Sequence, residues 1–405
     1  MNADDYNITG YRTMAVDSHQ LSSRLANALQ WLNLRRLLQP LVTRLPVMAS
    51  VLAMLASLPG LLLLFGIPLL VLMLLLGLPQ QIATAVTIMD WSLVAMSVVI
   101  ALLGGVITWL TLRTPLQPPH GLPVDHSIAP ALLDMIEELE THYGRACVHR
   151  IVLRSDYDIQ LHRIPRFGLP LLTNNTLTIG LPMLLSLPPS HFKALLARRI
   201  GQASGKHNRL SGWFYQLDGI WRTYRDGYSK QASRGRKLLG NFFKYYSPLY
   251  RKLAFFAMRQ DELEADRYAL ELVNDHDMAG VMSQEIITRS FLEQKYWPKL
   301  KQLVRRGDAN RYAPYRQMPQ IVQKSLTADE ARNWLMAAIN TPDNLTETLP
   351  PLKVRLENIG HQKTGAPTPL TEVAASQLIT PQALPKILDK FDQRWLKRQQ
   401  QPLRK

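Results

Sequence analysis

The chain has 405 residues, 47% of them hydrophobic, with one cysteine and a formal net charge of +16. That apolar fraction excludes general disorder and leaves room for a large core plus membrane segments. The single cysteine, Cys147, excludes an internal disulfide and any multi-cysteine metal ribbon, and suits a reducing compartment or a membrane protein facing one. The basic excess fits nucleic acid, anionic lipid or the positive-inside bias of a membrane protein, and charge alone does not separate these.

No Asp, Glu, Lys or Arg stands between Leu45 and Met89, and about 20 apolar residues are enough for one helix to span a membrane. The sequence therefore predicts a cytoplasmic N-terminal segment over 1–46 and a transmembrane hairpin over 47–112. The first helix is expected over about Val47 to Leu76, interrupted at Pro59-Gly60 and Pro68. A turn is expected from Gly77 through Pro79, Gln80 and Gln81, and a second helix from Trp91 to Leu112. The run is too long and too far from the N-terminus to be a cleaved signal peptide. Trp91 and Trp109 sit where aromatic belts belong. Arg24, Arg35, Arg36 and Arg44 precede the first span and Arg113 closes the second, while the turn carries no basic residue. The positive-inside rule then predicts both termini in the cytoplasm, with the lipid bilayer as first partner.

Residues 113–123 read as a proline-rich linker (TPLQPPHGLP). A folded domain is expected over 124–396, followed by a basic tail at 397–405 whose composition predicts disorder. Within the domain, Leu132, Leu133, Ile136 and Leu139 mark an amphipathic helix over Ile128 to Tyr143, ended by Gly144. Two extended runs follow, His149 to Asp156 and about Leu171 to Gly180, with a turn at Asn174-Asn175. Pro189 opens a helix over Ser190 to Lys206, with Phe192, Leu195, Leu196, Ile200 and Ala203 inward. Ser247-Pro248 is read as the start of a helix running to about Asn274. Leu384 to Trp395 is a closing amphipathic helix. The fold class predicted is mainly α: a two-helix transmembrane hairpin, then a helical domain with a small β-sheet.

Between Trp221 and Arg259, basic residues alternate with Trp221, Tyr224, Tyr228, Phe242, Phe243, Tyr246 and Tyr250. Such a mixture can bind single strands, but beside a membrane it suits an anionic leaflet or simple solvation better, so nucleic acid is not the expected partner. The aromatics are read as packing contacts rather than a base-stacking platform.

Four segments carry a resemblance. Ala194 to His207 reads ALLARRIGQASGKH and is similar, position for position, to a pattern A-L-L-A-H-E-L-G-H-x-x-G-x-H. Arg259 to Ala269 (RQDELEADRYA) resembles an E-x-x-A-D element. Leu177 to Leu185 (LTIGLPMLL) looks like the strand and turn entering an active-site helix, and Thr348 to Arg355 (TLPPLKVR) is similar to T-H-P-P-L-x-x-R with Leu349 in place of the His. In this order they resemble peptidase family M48, the HtpX and CAAX-prenyl-protease type of membrane zinc metallopeptidases, over roughly Val124 to Trp395.

The resemblance implies a zincin-like domain in a bacterial inner membrane. It puts Arg198 at the first zinc-binding His, Arg199 at the general-base Glu and Gln202 at the second His. Glu262 is left at the third-ligand position, with Asp266 one turn on to steady the site. It also implies a substrate groove beside the strand Leu177, Thr178, Ile179 and Gly180, where an extended or unfolded polypeptide would add as a strand.

Ligand chemistry decides what the replacements do. Arginine has no lone pair to give and stays protonated, so Arg198 cannot bind zinc and Arg199 cannot act as a base. Gln202 offers only a neutral amide oxygen. No catalytic residue, no metal and no cofactor are therefore expected. Two readings of the charges stay open: a guanidinium of Arg198 or Arg199 pairs with Glu262 or Asp266 where the zinc would be, or the arginines form a solvated helix face and the two acids an ordinary i, i+4 pair. The functional expectation is a pseudopeptidase that binds polypeptide or serves as a membrane scaffold. The alternative is an active zinc endopeptidase with a non-standard site. His162, His191, His207 and His276 stand in no ligand-spaced pair and are read as structural. Client and oligomeric state have no signal in the sequence.

Overall fold

The computed structural model describes residues 39–40, 47–112, 118–166, 169–204, 209–229, 234–273, 275–304, 312–343, 347–361 and 371–400. The arginines used to orient the hairpin, Arg24, Arg35, Arg36, Arg44 and Arg113, lie outside these residues, as do His207 and 401–405.

α1 (Val47–Leu61), a π-helical turn at Leu62–Gly66 and α2 (Ile67–Ile88) run on as one helix of 42 residues, roughly 63 Å at 1.5 Å per residue. α3 (Ser92–Leu112) folds back along α2. Both helices are long and apolar enough to cross a membrane. They approach closely at Gly104, where a Cβ would meet Val71 Cγ2 at 2.6 Å.

The turn falls at Met89 and Asp90 rather than at Gly77 to Gln81. Pro79 is accommodated inside α2, and the chain reverses only at the first charged residue after the apolar run. There Met89 adopts a left-handed φ of 54° and Asp90 Oδ1 accepts from the Ser92 amide at 2.9 Å, starting α3. Likewise Pro59 and Pro68 do not break the first span. The π turn between them absorbs the local mismatch.

The domain's sheet has four strands: β1 (Leu122–Val124), β2 (Arg150–Arg154), β3 (Ile159–Arg166) and β4 (Leu169–Gly180), in the order β1-β2-β4-β3. β2 and β4 are parallel and the two outer pairings are antiparallel. β3 was not anticipated. It sets exposed Gln160 and half-buried His162 and Arg163 among its apolar residues, so its alternation is weak, and Asn174-Asn175 has the composition of a turn. Both asparagines are instead paired inside β4, Asn174 with Ile164 and Asn175 with Arg163. The buried Asn175 donates through Nδ2 to the Cys147 carbonyl at 2.7 Å, which satisfies its polar group within the strand.

α4 (Pro130–His142) buries Leu132, Ile136 and Leu139, as its amphipathic pattern predicts, and packs on a later helix, with Gly144 at φ +70° just beyond its end. β4 leads straight into α5 (Leu181–Ser186) and α6 (Pro189–Ser204), whose apolar positions enter the main core. α7 (Arg209–Ser229) and α8 (Arg234–Leu253) form an antiparallel pair before α9 (Phe255–Leu270). Pro248 does not open a helix. It lies within α8, and the break comes at Ala254, because Phe243, Tyr246 and Tyr250 hold that stretch in one packed face.

These aromatics, with Trp221, Tyr224 and Tyr228, build a second core against α1. Tyr224 and Phe243 stack at 5.0 Å. Gly60 faces Trp221 and Tyr246 so closely that a Cβ would stand 2.8 Å from each, and the Tyr246 hydroxyl donates to the Ala56 carbonyl at 2.8 Å. α1 thus presents small residues, Ala49, Ala53, Ala56 and Gly60, to the domain, while Met54, Leu55 and Leu58 on its other face are exposed.

The remaining helices are α10 (Asp275–Phe291), α11 (Trp297–Leu303), α12 (Pro314–Ser325), α13 (Ala328–Asn340), α14 (Leu352–Asn358), α15 (Ala374–Leu378) and α16 (Leu384–Gln400). α16 extends past Lys397, where a disordered tail was expected, because Trp395 and Leu396 still pack on the main core.

Candidate functional site

α6 and α9 pack side by side, and Gly201 makes that possible: a Cβ there would lie 2.5 Å from Tyr268 Cβ. On α6, Arg198 and Gln202 are four residues apart and share the face toward α9, with Arg199 beside them. On α9, Glu262 and Asp266 are also four apart, and Asp261 adjoins them. Arg198, Gln202, Asp261, Glu262 and Asp266 are all buried.

One guanidinium joins the two helices. Arg198 donates from Nε to Asp266 Oδ1 at 2.6 Å and from Nη2 to Glu262 Oε2 at 2.5 Å. Nη2 also lies 3.3 Å from the Glu262 carbonyl. Arg199 donates from Nη1 to the other Glu262 oxygen at 3.3 Å and to Gln202 Oε1 at 3.0 Å. Gln202 in turn donates from Nε2 to Asp261 Oδ2 at 2.7 Å. A third cation comes from α14. Arg355 forks onto Asp266, Nε to Oδ2 at 2.9 Å and Nη2 to Oδ1 at 2.8 Å. Of the two readings of the charges, the arginine-to-carboxylate pair is the one present, with both Arg198 and Arg199 on Glu262.

Burial alone would raise the Glu262 carboxyl, but Arg199 and Arg198 outweigh it and hold the group well below the usual carboxylate range. Asp266 behaves alike: burial pushes it up, and Arg355 and Arg198 bring it down. Burial also opposes the charge on Arg198, yet Asp266 and Glu262 hold its proton more tightly than in water. Asp261 is the exception. Burial dominates there and pushes it up to about 7, against the lowering effect of the Gln202 hydrogen bond, with the charge of Glu262 adding to the rise.

The donor set does not fit zinc. A guanidinium nitrogen cannot coordinate, both oxygens of Glu262 and of Asp266 already accept from arginines, and among the described residues no three His, Cys, Asp or Glu side chains converge to hold a metal. What the arrangement does chemically is cross-link α6, α9 and α14 by alternating charge.

The groove expected at Leu177, Thr178, Ile179 and Gly180 is not there. Leu177 to Gly180 pairs with Ile151 to Arg154 on one side, and Leu177 to Ile179 pairs with Ile159 to Leu161 on the other. Both backbone edges are therefore occupied and no strand can add. The edge nearest the ion cluster is β3. There Gln160 to Arg163, together with Arg199, Gln202, Tyr215 and Asp261, line a cleft of about 270 Å³.

Of the histidines read as structural, His162 lies at this edge, lowered to about 4 by burial, Arg154 and Arg222. His191 is buried in α6. His276 belongs to α10, and nothing is described of its side chain. Three site residues were missed by sequence reasoning. Arg355 was visible as the last residue of TLPPLKVR, Asp261 as the acid next to Glu262, and Tyr215 carried no signal.

Comparison with protein-family models, with curated proteins and with solved structures found no match.

Asp261 yields a pH signature. Between the ordinary Asp value of 3.8 and about 7, the folded chain keeps a proton that the unfolded chain releases, so stability from this group falls as pH rises through that window. Glu262 and Asp266 act oppositely: their stabilisation is complete above their ordinary values and is lost as pH falls from there through their lowered folded ones. Asp261→Asn is expected to raise the melting temperature at pH 8 and to change it little at pH 4. Thermal denaturation across that range checks this; a pH-independent difference would contradict it.

Proposed function

We propose that the chain is a membrane-anchored pseudopeptidase: a zincin-like domain of the M48 peptidase type in which an arginine cross-link has replaced the catalytic zinc. The supporting observation is the position of Arg198, whose guanidinium lies between Glu262 and Asp266 on the face of α6 where the resemblance puts the first metal ligand. Arg199 takes the general base's place and offers no lone pair to activate water. The hairpin of α2 and α3 would anchor the domain in a bacterial inner membrane with both termini in the cytoplasm, as the basic flanks in the sequence suggest.

The polypeptide-binding role moves with the free edge. A client segment would lie along β3 at Gln160 to Arg163, beside Arg199 and Asp261, rather than against Leu177 to Gly180. A second reading, a membrane scaffold with a vestigial groove, draws support from α7, which packs against β3 and narrows that edge.

The metal assignment is tested by analysis of the purified full-length protein. The wild type is expected to retain no stoichiometric zinc and not to cleave unfolded casein. The triple variant Arg198→His/Arg199→Glu/Gln202→His is expected to bind zinc. Stoichiometric zinc in the wild type, with chelator-sensitive cleavage, would reverse the reading. Photocrosslinking from Gln160 separates the two inactive roles: captured extended peptides support binding at β3, and an absence of capture supports the scaffold.

A further inference from the structure

A cavity of about 840 Å³ lies away from the arginine cluster, between β2, α7, α11 and α16. Its volume falls within the range of small-molecule sites. Arg154, Lys301, Arg394 and Arg398 line it from three separate elements, against one acid, Asp226. Arg394 and Arg398 are four residues apart on α16 and share a face.

Three of these four cations, Lys301, Arg394 and Arg398, lack the compensation found elsewhere among the described residues. Lys193 pairs with Glu138, Lys295 with Glu330, and Arg316 with Asp389 of α16 itself. Arg154 has Asp156 at 3.1 Å. No ion pair joins Lys301, Arg394 or Arg398 to any described residue. Like charges gathered in a concave site repel one another unless an anion joins them.

The floor is apolar. Trp297 and Trp395 meet at 6.0 Å between ring centroids and form one wall with the buried Tyr315 and Phe391. The Nε2 of His162, another lining group, is buried with no hydrogen-bond partner. A neutral imidazole there has one donor to give a ligand oxygen.

The position narrows the choice of ligand. Pro118 and Pro119 line the cavity, and Pro118 follows Leu112, the end of α3, by six residues, a reach of about 20 Å at most. The aromatic wall is too buried to be a stacking track for successive bases, which argues against a nucleic acid strand.

We propose that this cavity binds the phosphate headgroup of an anionic phospholipid, with the arginines and Lys301 on the phosphate and the Trp297–Trp395 wall against the glycerol and first methylenes. This rests on the membrane reading of the hairpin and not on the pseudopeptidase assignment.

The test uses full-length protein in a neutral detergent, titrated with dihexanoyl-phosphatidylglycerol, dihexanoyl-phosphatidylcholine or inorganic phosphate. Tryptophan emission and calorimetry report binding. The phosphatidylglycerol is expected to bind saturably, at least tenfold more tightly than the phosphatidylcholine. Arg394→Glu/Arg398→Glu, both exposed positions, should weaken it by tenfold or more with an unchanged melting temperature. Equal binding of the two lipids, or binding unaffected by the double substitution, overturns the proposal. So does inorganic phosphate binding as tightly as phosphatidylglycerol, which would make the ligand a free phosphate rather than a lipid. Zinc found in the wild type would sink the pseudopeptidase reading and leave this result standing.

Discussion

The contact on which the rest depends is the guanidinium of Arg198, held between Glu262 and Asp266 with almost no access to solvent. Removing these charges from water is costly, and a buried pair recovers that cost only where geometry is good and the remaining polar atoms are satisfied. Both conditions hold. The fork geometry of arginine suits two carboxylates one helical turn apart. Arg199 takes the second oxygen of Glu262, and Arg355 brackets Asp266. The network is fully connected, so deleting one member leaves a buried charge exposed to the whole penalty.

This geometry follows from how closely α6 and α9 approach. Gly201 lets the helix backbones meet at Tyr268, which brings the two i, i+4 pairs into register. A neutral contact would join the helices as well. An ionic one fixes their register more strictly, since a slip of one residue would part every charge from its partner. α14 is tied to the same point through Arg355, so the network fixes three helices that are distant in sequence. α1, which also touches α9, lies in a layer of aromatic side chains from α7 and α8, with Gly60 under Trp221 and Tyr246. The long apolar helix is therefore part of the folded domain at one end and free of it at the other.

The helices were legible wherever apolar periodicity and end signals agreed. α4 ended at Gly144, α6 followed Pro189, and the hairpin stood out by its lack of charge. The failures have physical causes. The hairpin's turn moved to Asp90 because proline inside a long apolar helix is tolerated, so Pro79 was a false stop. Pro248 misled for a similar reason: packing of Phe243, Tyr246 and Tyr250 outweighs one missing amide. β3 was hidden by its polar edge, and with it the fact that Leu177 to Gly180 is a central strand. At the site, the Arg198 pairing was legible only through the resemblance, which sets the two segments face to face; charge and helical period alone suit a solvated helix face. Asp261 was not, since its raised carboxyl follows from burial, which only the packing of the helices sets.

The most direct test of the central claim is a double-mutant cycle on Arg198→Met and Glu262→Gln, read from denaturant unfolding of the full-length protein in detergent. Each single change should cost several kcal/mol, and the double change distinctly less than their sum, with a coupling of about 2 kcal/mol or more. A coupling near zero would mean that the two side chains do not hold α6 to α9.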